Sequence, residues 1–530
     1  MPNLTRDEFV AVAAGAAPGR TLVVPLALRV LSDQLTPVLA YRRLVAPDER
    51  TAPSFLLESV EGGERQGRYS ILSSQPSREV IAFGHRVITR DAQGRETLTE
   101  HDPDPLAIPR RLTAGIDLVR PPAHGAKDLL PRCVLGGWFG YASYDTVRYG
   151  EPAKLGFDRA PADDRGLPDM HFGYYDHVVV FDHVDKVVFL VKLVEVGEGT
   201  DPGAAYDAGV AWLRGLLSRI ERHSTPLSSG LFERDDSVPA SPPSNMTRED
   251  HAAMVAKAKE YIRAGDIFQV VIGQRFERLS QADPFDVYRA LRAVNPSPYM
   301  VYLQAQGCIL VASSPEILCR VRRTADGAGF EVTNRPLAGT RRRGKTAEED
   351  KALERELLAD QKERAEHIML VDLGRNDVGR VALPGSIATP ALMEIERYSH
   401  VMHISSTVTG LLRDGLDCWD ALRAALPVGT ISGAPKVRAM QVIDELEPIR
   451  RGPYGGGMGY VGLDGQMDIA LTLRTMVVPT GGRKDGRWCY HLQAAGGIVA
   501  DSVTEDEFQE TVNKSAALAR AIDAAERAFL

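Results

Sequence analysis

The sequence predicts an α+β protein. Strand-like and helix-like segments follow one another in mixed order, without the regular alternation of a parallel α/β sheet. The first half is rich in short β-branched runs. The chain ends on a strongly amphipathic helical stretch, EDEFQETVNKSAALARAIDAAERAFL, from Glu505. At 530 residues the chain exceeds one ordinary core. Two units are therefore expected, at 1–222 and 246–530, separated by a Ser/Pro-rich linker at 223–245 that is too polar to build a core of its own.

Taken in order, residues 1 to about 44 read as an opening helix and a strand. FLLESVEGGERQGRYSILSSQP, from Phe55 to Pro76, has two apolar runs about a Gly62-Gly63 turn and predicts a hairpin. CVLGGWFGYASYD (Cys133–Asp145) and HVVVFDHVDKVVFLVKLVE (His177–Glu195) predict strands, the latter folded back at Asp185-Lys186. After the linker, a helix is expected from Arg248 to about Ala264, packing through Ala253, Ala256, Ala258 and Ile262. IFQVVIGQRFERL, NPSPYMVYLQ and CILVASSPEILCRV then add strands. Between Thr333 and Gly379 a turn rich in Gly and Arg precedes one long polar helix. It is expected from Glu348 to about Leu373, with Leu353, Leu357, Ile368 and Val371 on one face.

Composition excludes some partners. A net charge of −8 gives no electrostatic case for nucleic acid or an anionic membrane. The five cysteines are scattered without CxxC spacing, which predicts reduced thiols and a cytoplasmic protein. No apolar stretch is long enough to span a bilayer.

Three motifs mislead. GTRRRGKT, from Gly339 to Thr346, matches the P-loop pattern, and Ile368 to Asp372 imitates its magnesium-binding strand. Pro336 just before the turn, and the continuation of the supposed strand within a helix, argue against a nucleotide site. GMGYVG (Gly457–Gly462) fits GxGxxG but leads into a strand-like segment rather than a helix. His400 and His403 lie three apart in a strand-like run, so they point to opposite faces and would not chelate one ion.

The carboxylates are more informative. Glu363 and Glu366 lie one turn apart on one predicted helix, and Glu507 and Glu510 repeat the spacing on another. Facing each other, they would offer the oxygen-rich, partly hydrated site that Mg2+ prefers. Neither helix carries the Glu-x-x-His of di-iron proteins.

Taken together, LLES (Leu56–Ser59), GDIFQVV (Gly265–Val271), NPSPYM (Asn295–Met300), SPE (Ser314–Glu316), RPLAGTRRRG, HIMLVDLGRND, RYSHVMH, GTISGAPKVRAM, PYGGGMGY and GGIVADS resemble the chorismate-utilising enzymes, in particular component I of anthranilate synthases. The resemblance implies two antiparallel sheets packed face to face with helices outside, a regulatory first unit and a chorismate-binding catalytic second unit. It implies conversion of chorismate and ammonia to anthranilate and pyruvate in tryptophan biosynthesis, with Mg2+. By the same resemblance Glu316 is the general acid, His403 assists pyruvate loss, and Glu363 stands with them as a catalytic residue. Glu366, Glu510 and Glu507 would hold the metal. Ala338, Gly339, Thr340, Thr430, Tyr454, Arg474, Gly496, Gly497 and Lys514 would bind substrate.

Where isochorismate and salicylate synthases carry a lysine base the chain has Gln269, and where aminodeoxychorismate synthase carries another lysine it has Ala338; both favour ammonia and anthranilate. Ala495 departs from the family's usual glycine. No GxCxG elbow is present, so a separate glutamine amidotransferase subunit is implied as partner, in a hetero-oligomer. Feedback inhibition by tryptophan is implied through Leu57, Glu58, Ser59, Asn295, Pro298, Tyr299, Met300, Met458 and Tyr460. Alternatives remain at this point: a synthase stopping at the amino intermediate, a P-loop hydrolase, or an inactive allosteric subunit.

Overall fold

The structure, a computed structural model, describes residues 1–15, 17–31, 33–61, 65–121, 129–222, 226–233, 241–398 and 401–530. Two twelve-stranded sheets dominate it. In the first, Gln269–Ser280, Trp488–Ile498, Thr475–Pro479, Cys308–Ser314 and Tyr299–Ala305 lead across to Ser54–Glu58, Tyr69–Ser74, His177–Asp182, Val187–Val196 and Thr21–Val30. Leu337–Arg342, Val401–Leu411, Phe330–Asn334, Ile317–Arg323, Met467–Leu471 and Gly457–Gly462 run in the second sheet, followed by Gly137–Ala142, Met170–Tyr175 and Arg78–Phe83. Among the described residues the strands pair antiparallel except where Ile116–Leu118 runs parallel to Thr21–Val30.

Each sheet is continuous across the chain's two halves. Met300 pairs with Glu58 in one and Gly459 with Gly140 in the other. The glycine pair has a steric reason: a Cβ on Gly140 would lie 1.9 Å from the His171 carbonyl oxygen, and Gly459 has φ +153. Between the sheets, Phe55 stacks on Phe139 with centroids 4.1 Å apart, amid the buried side chains of both inner faces. Helices cover the outside. Thr504–Phe529 and Pro284–Val294 lie over the first sheet, and Cys418–Ala425 packs on the second through Trp419 against Phe172. The α+β expectation and the face-to-face sheets are both found.

Local expectations fare unevenly. The Phe55–Pro76 hairpin forms as Ser54–Glu58 against Tyr69–Ser74, although Gly62 and Gly63 lie outside the described residues. Asp185-Lys186 is a turn, with Lys186 at φ +57. In the Arg248–Arg263 helix Ala258 is buried and Ile262 packs against the core as expected, but Ala253 and Ala256 are exposed, and His251, Met254 and Val255 are buried in their place. Alanine spacing alone misplaced the face, because the bulkier neighbours supply more apolar area. The long polar helix is in fact two, Ala347–Ala359 and Gln361–Gly379, with Asp360 between them. Asp360 Oδ1 accepts from the Lys362 and Glu363 amides, so a residue with no outward sign of a breaker serves as N-cap. Leu357 and Val371 are buried as expected, but Ile368 is 41% exposed, beside a buried face made by His367, Leu370, Val371 and Gly374. His400 lies outside the described residues, as do parts of the 223–245 linker; Ser244 within it bridges to Phe276.

Candidate active site

The Leu337–Arg342 strand carries a β-bulge against Val401–Leu411: the register shifts between Ala338 and Thr340, and Gly339 between them has φ +72. The first half of the P-loop lookalike is therefore strand, and its arginines are paired with acids of the segment that follows. Arg341 binds Glu356, Asp360 and Glu363; Arg343 binds Asp350. Ile368 to Asp372 is helical, as expected. GMGYVG is the Gly457–Gly462 strand.

The bulge aims the Gly339 carbonyl at the catalytic candidate on the next strand. His403 Nδ1 lies 3.0 Å from that oxygen and 3.0 Å from Thr340 Oγ1. A carbonyl can only accept, so Nδ1 carries the proton and Nε2 the lone pair. Nε2 is buried without a protein partner. Burial, and then the nearby Arg474 charge, push the imidazole down to about 3, so it is neutral at physiological pH.

Both sheets line a cavity of about 340 Å³ beside this histidine. Glu316, on the turn between two strands, is 5% exposed there, and burial pushes its carboxyl up to about 8. Thr430 donates to Glu316 Oε1 at 2.9 Å. Arg474 enters from a backbone at φ +45, and its guanidinium makes no hydrogen bond or ion pair among the described residues. Tyr454 lies fully buried at the wall, its hydroxyl pushed up by burial. Gln269 and Gly497 meet at the floor, where a Cβ on Gly497 would lie 2.6 Å from Gln269 Nε2.

The two acidic helices face one another across the same cavity. Glu363, Glu366, Glu507 and Glu510 all line it. Glu366 is pushed up by burial and by the other three carboxylates; Glu507 is pushed up by burial and by Glu510. Glu507 Oε2 is buried without a partner. Lysines partly offset the charge: Lys514 lies 2.6 Å from Glu510, and Lys362 lies 3.8 Å from Glu366. No three of these carboxylates converge within 4.8 Å among the described residues, which leaves room for a partly hydrated ion rather than a bare one.

Ala338, Gly339, Thr340, Thr430, Tyr454, Arg474, Gly497 and Lys514 all line this cavity. Gly496 stands behind it, where a Cβ would lie 3.1 Å from Glu507 Oε2. Ala495 has no positive φ and is buried in an extended strand, so its methyl imposes no backbone strain. Sequence reasoning missed Pro315, Leu473, Gln493 and Lys362 among the lining residues. Gln493 was findable, lying two residues before Ala495 on the same strand face.

A second cavity of about 930 Å³ opens between the sheets nearer the first half. Leu57, Glu58, Ser59, Pro298, Tyr299, Met300, Met458 and Tyr460 line it, and Pro315 lines both cavities. Asn295 does not line it; its amide donates to Ser313 Oγ at 3.1 Å and braces the turn. Glu58 is occupied by Tyr288 and Arg292. Among the unforeseen charges are Arg320 and Arg322, both on Asp468, which also accepts from Tyr299.

Among the described residues no helix is long and apolar enough to cross a membrane. A family profile described as chorismate binding enzyme matches residues 54–520. The chain is 54% identical over 542 residues to the chloroplastic anthranilate synthase alpha subunit 1 of Oryza sativa subsp. indica, covering 99% of this chain and 92% of that protein. It is 44% identical over 524 residues to anthranilate synthase component 1 of Pseudomonas putida, covering 99% of both. The crystal structure of anthranilate synthase component I from Streptococcus pneumoniae superposes with a TM-score of 0.67 at 34% identity, over 93% of this chain and 99% of that one. The menaquinone-specific isochorismate synthase of Escherichia coli shares the fold, with a TM-score of 0.64 at 16% identity over 98% of each chain. With matches of this extent in sequence and in structure, the chain belongs to the chorismate-binding enzyme family.

Proposed function

We propose that the chain is the large subunit of an anthranilate synthase, joining chorismate with ammonia to give anthranilate and pyruvate. The observation that carries this reading is a protonated acid and a neutral histidine at one cavity, with an unpaired arginine beside them. Arg474 binds a substrate carboxylate as a charge-assisted fork. Glu316, protonated at neutral pH, gives its proton to the departing C4 hydroxyl as ammonia adds at C2. His403 Nε2 then takes the C2 proton as pyruvate leaves and the ring becomes aromatic. Gln269, a neutral amide, cannot activate water, which favours ammonia as the nucleophile.

The donor set suits Mg2+: an orphaned buried carboxylate oxygen within a cluster of mutually repelling carboxylates. Glu366 and Glu510 would hold it, with Glu507 and Glu363 beside them, and bound Mg2+ would supply Lewis-acid anchoring of the ring carboxylate. The relatives' names, component 1 and alpha subunit, support a second subunit; we assign it as a glutamine amidotransferase that supplies ammonia. The second cavity is assigned to tryptophan as feedback inhibitor. Cytoplasmic location is part of the same reading, while the Oryza relative is named chloroplastic.

The test uses the purified chain with chorismate, Mg2+ and ammonium, following anthranilate fluorescence and pyruvate together. Equal yields support the synthase. Chorismate loss without pyruvate would move the assignment to an enzyme stopping at the amino intermediate, and no chorismate loss would end the catalytic reading.

A further inference from the structure

Away from both cavities, Glu277 on the Gln269–Ser280 strand pairs directly with His491 on Trp488–Ile498. Cys489, two residues before His491, projects from the same strand face. One donor atom from each of the three lies within 4.8 Å of the others, and no other trio of Cys, His, Asp or Glu among the described residues does so. His491 Nε2 is 3.5 Å from Glu277 Oε1, and Cys489 Sγ is 3.9 Å from Glu277 Oε2. Zinc bonds to nitrogen, oxygen and sulfur, set at tetrahedral angles, hold donor atoms roughly 3.3–3.7 Å apart. The two Glu277 separations therefore lie within a few tenths of an ångström of a zinc tetrahedron's edges, each through its own carboxylate oxygen, and Cys489 and His491 stand within 4.8 Å of each other.

We propose that Glu277, Cys489 and His491 form a site for a borderline-soft divalent cation such as Zn2+, completed by water in the fourth position. A thiolate and an imidazole select such an ion over Mg2+, so the site does not compete with the carboxylates of the cavity. His491 Nε2 faces Glu277, and its Nδ1 is buried without a protein partner.

Two cations stand near. Arg275, 3.6 Å from Glu277, is already paired with Asp164. Lys484, 57% exposed on the preceding loop, lies 3.1 Å from Glu277 Oε2 and swings to solvent when the ion enters. The same two strands carry Gln269 and Gln493 into the cavity, so the ion clamps the far end of the cavity floor.

The test titrates Co2+ into the full chain with Mg2+ in excess. Expected is a thiolate-to-cobalt charge-transfer band saturating at one ion per chain and displaced by Zn2+. Cys489→Ser abolishes the band, His491→Gln weakens binding at least about tenfold, and Lys484→Ala tightens it. A wild type without the band, a band surviving in Cys489→Ser, or unchanged affinity in a folded His491→Gln overturns the proposal. If Cys489→Ser does not fold, His491→Gln and Glu277→Gln decide it.

Discussion

Thr430 Oγ1 donates a 2.9 Å hydrogen bond to Glu316 Oε1, and this bond opposes the burial that holds the Glu316 proton in place. A donor to a carboxylate favours the ionised form, so it lowers a proton affinity that desolvation raises. Glu316 thus sits at about 8 instead of higher still.

Activity should fall on the alkaline side with an apparent value near 8, measured at constant free ammonia. Thr430→Val should move that limb to higher pH, because it removes the bond that favours ionisation. Glu316→Gln should lose about 10²–10⁴-fold in rate. A limb unmoved in Thr430→Val would detach Glu316 from the alkaline limb.

The same group sets a sign for stability. Its folded value lies above the ordinary 4.5, so its contribution is fully present below that pH and is lost as pH rises through about 8. Thermal midpoints should show Glu316→Gln gaining on the wild type as pH rises from 4.5 through about 8, and the difference levelling off above it.

His403 titrates near 3, so it adds no acidic limb between pH 5 and pH 7. His403→Phe should uncouple the two halves of the reaction, with chorismate consumed faster than pyruvate appears. Parallel loss of both rates would refute a role confined to the second half.

Lys514 and Lys362 offset part of the negative charge of the acidic helices. By calorimetry, Glu510→Gln should weaken Mg2+ binding at least about tenfold. Lys362→Gln should strengthen it, since it removes a competing cation 3.8 Å from Glu366.

Lys436 and Asp377 form a buried pair at 2.5 Å that ties the Gln361–Gly379 helix to Lys436–Leu446. Lys436→Met leaves Asp377 buried and unpaired, an expected loss of about 3–5 kcal/mol by denaturant unfolding. Removing both charges, in Lys436→Met with Asp377→Leu, should recover most of it.

The site residues came through resemblance to a family; by itself the sequence determined the α+β class, the strand character of the glycine motif and the paired carboxylates. Those are local properties: alternation, helical spacing and short motifs leave their mark within a few residues. It did not reveal the break at Asp360, because an N-cap aspartate amid charged residues looks like any other member of a polar helix. Only the tertiary structure decided which carboxylates meet. Glu366 and Glu507 are far apart in the chain, and their shared electrostatics arises because two helices close over one end of the sheets. The same holds for Glu277, Cys489 and His491, which no spacing rule joins, since strand register rather than sequence distance sets a cross-strand trio.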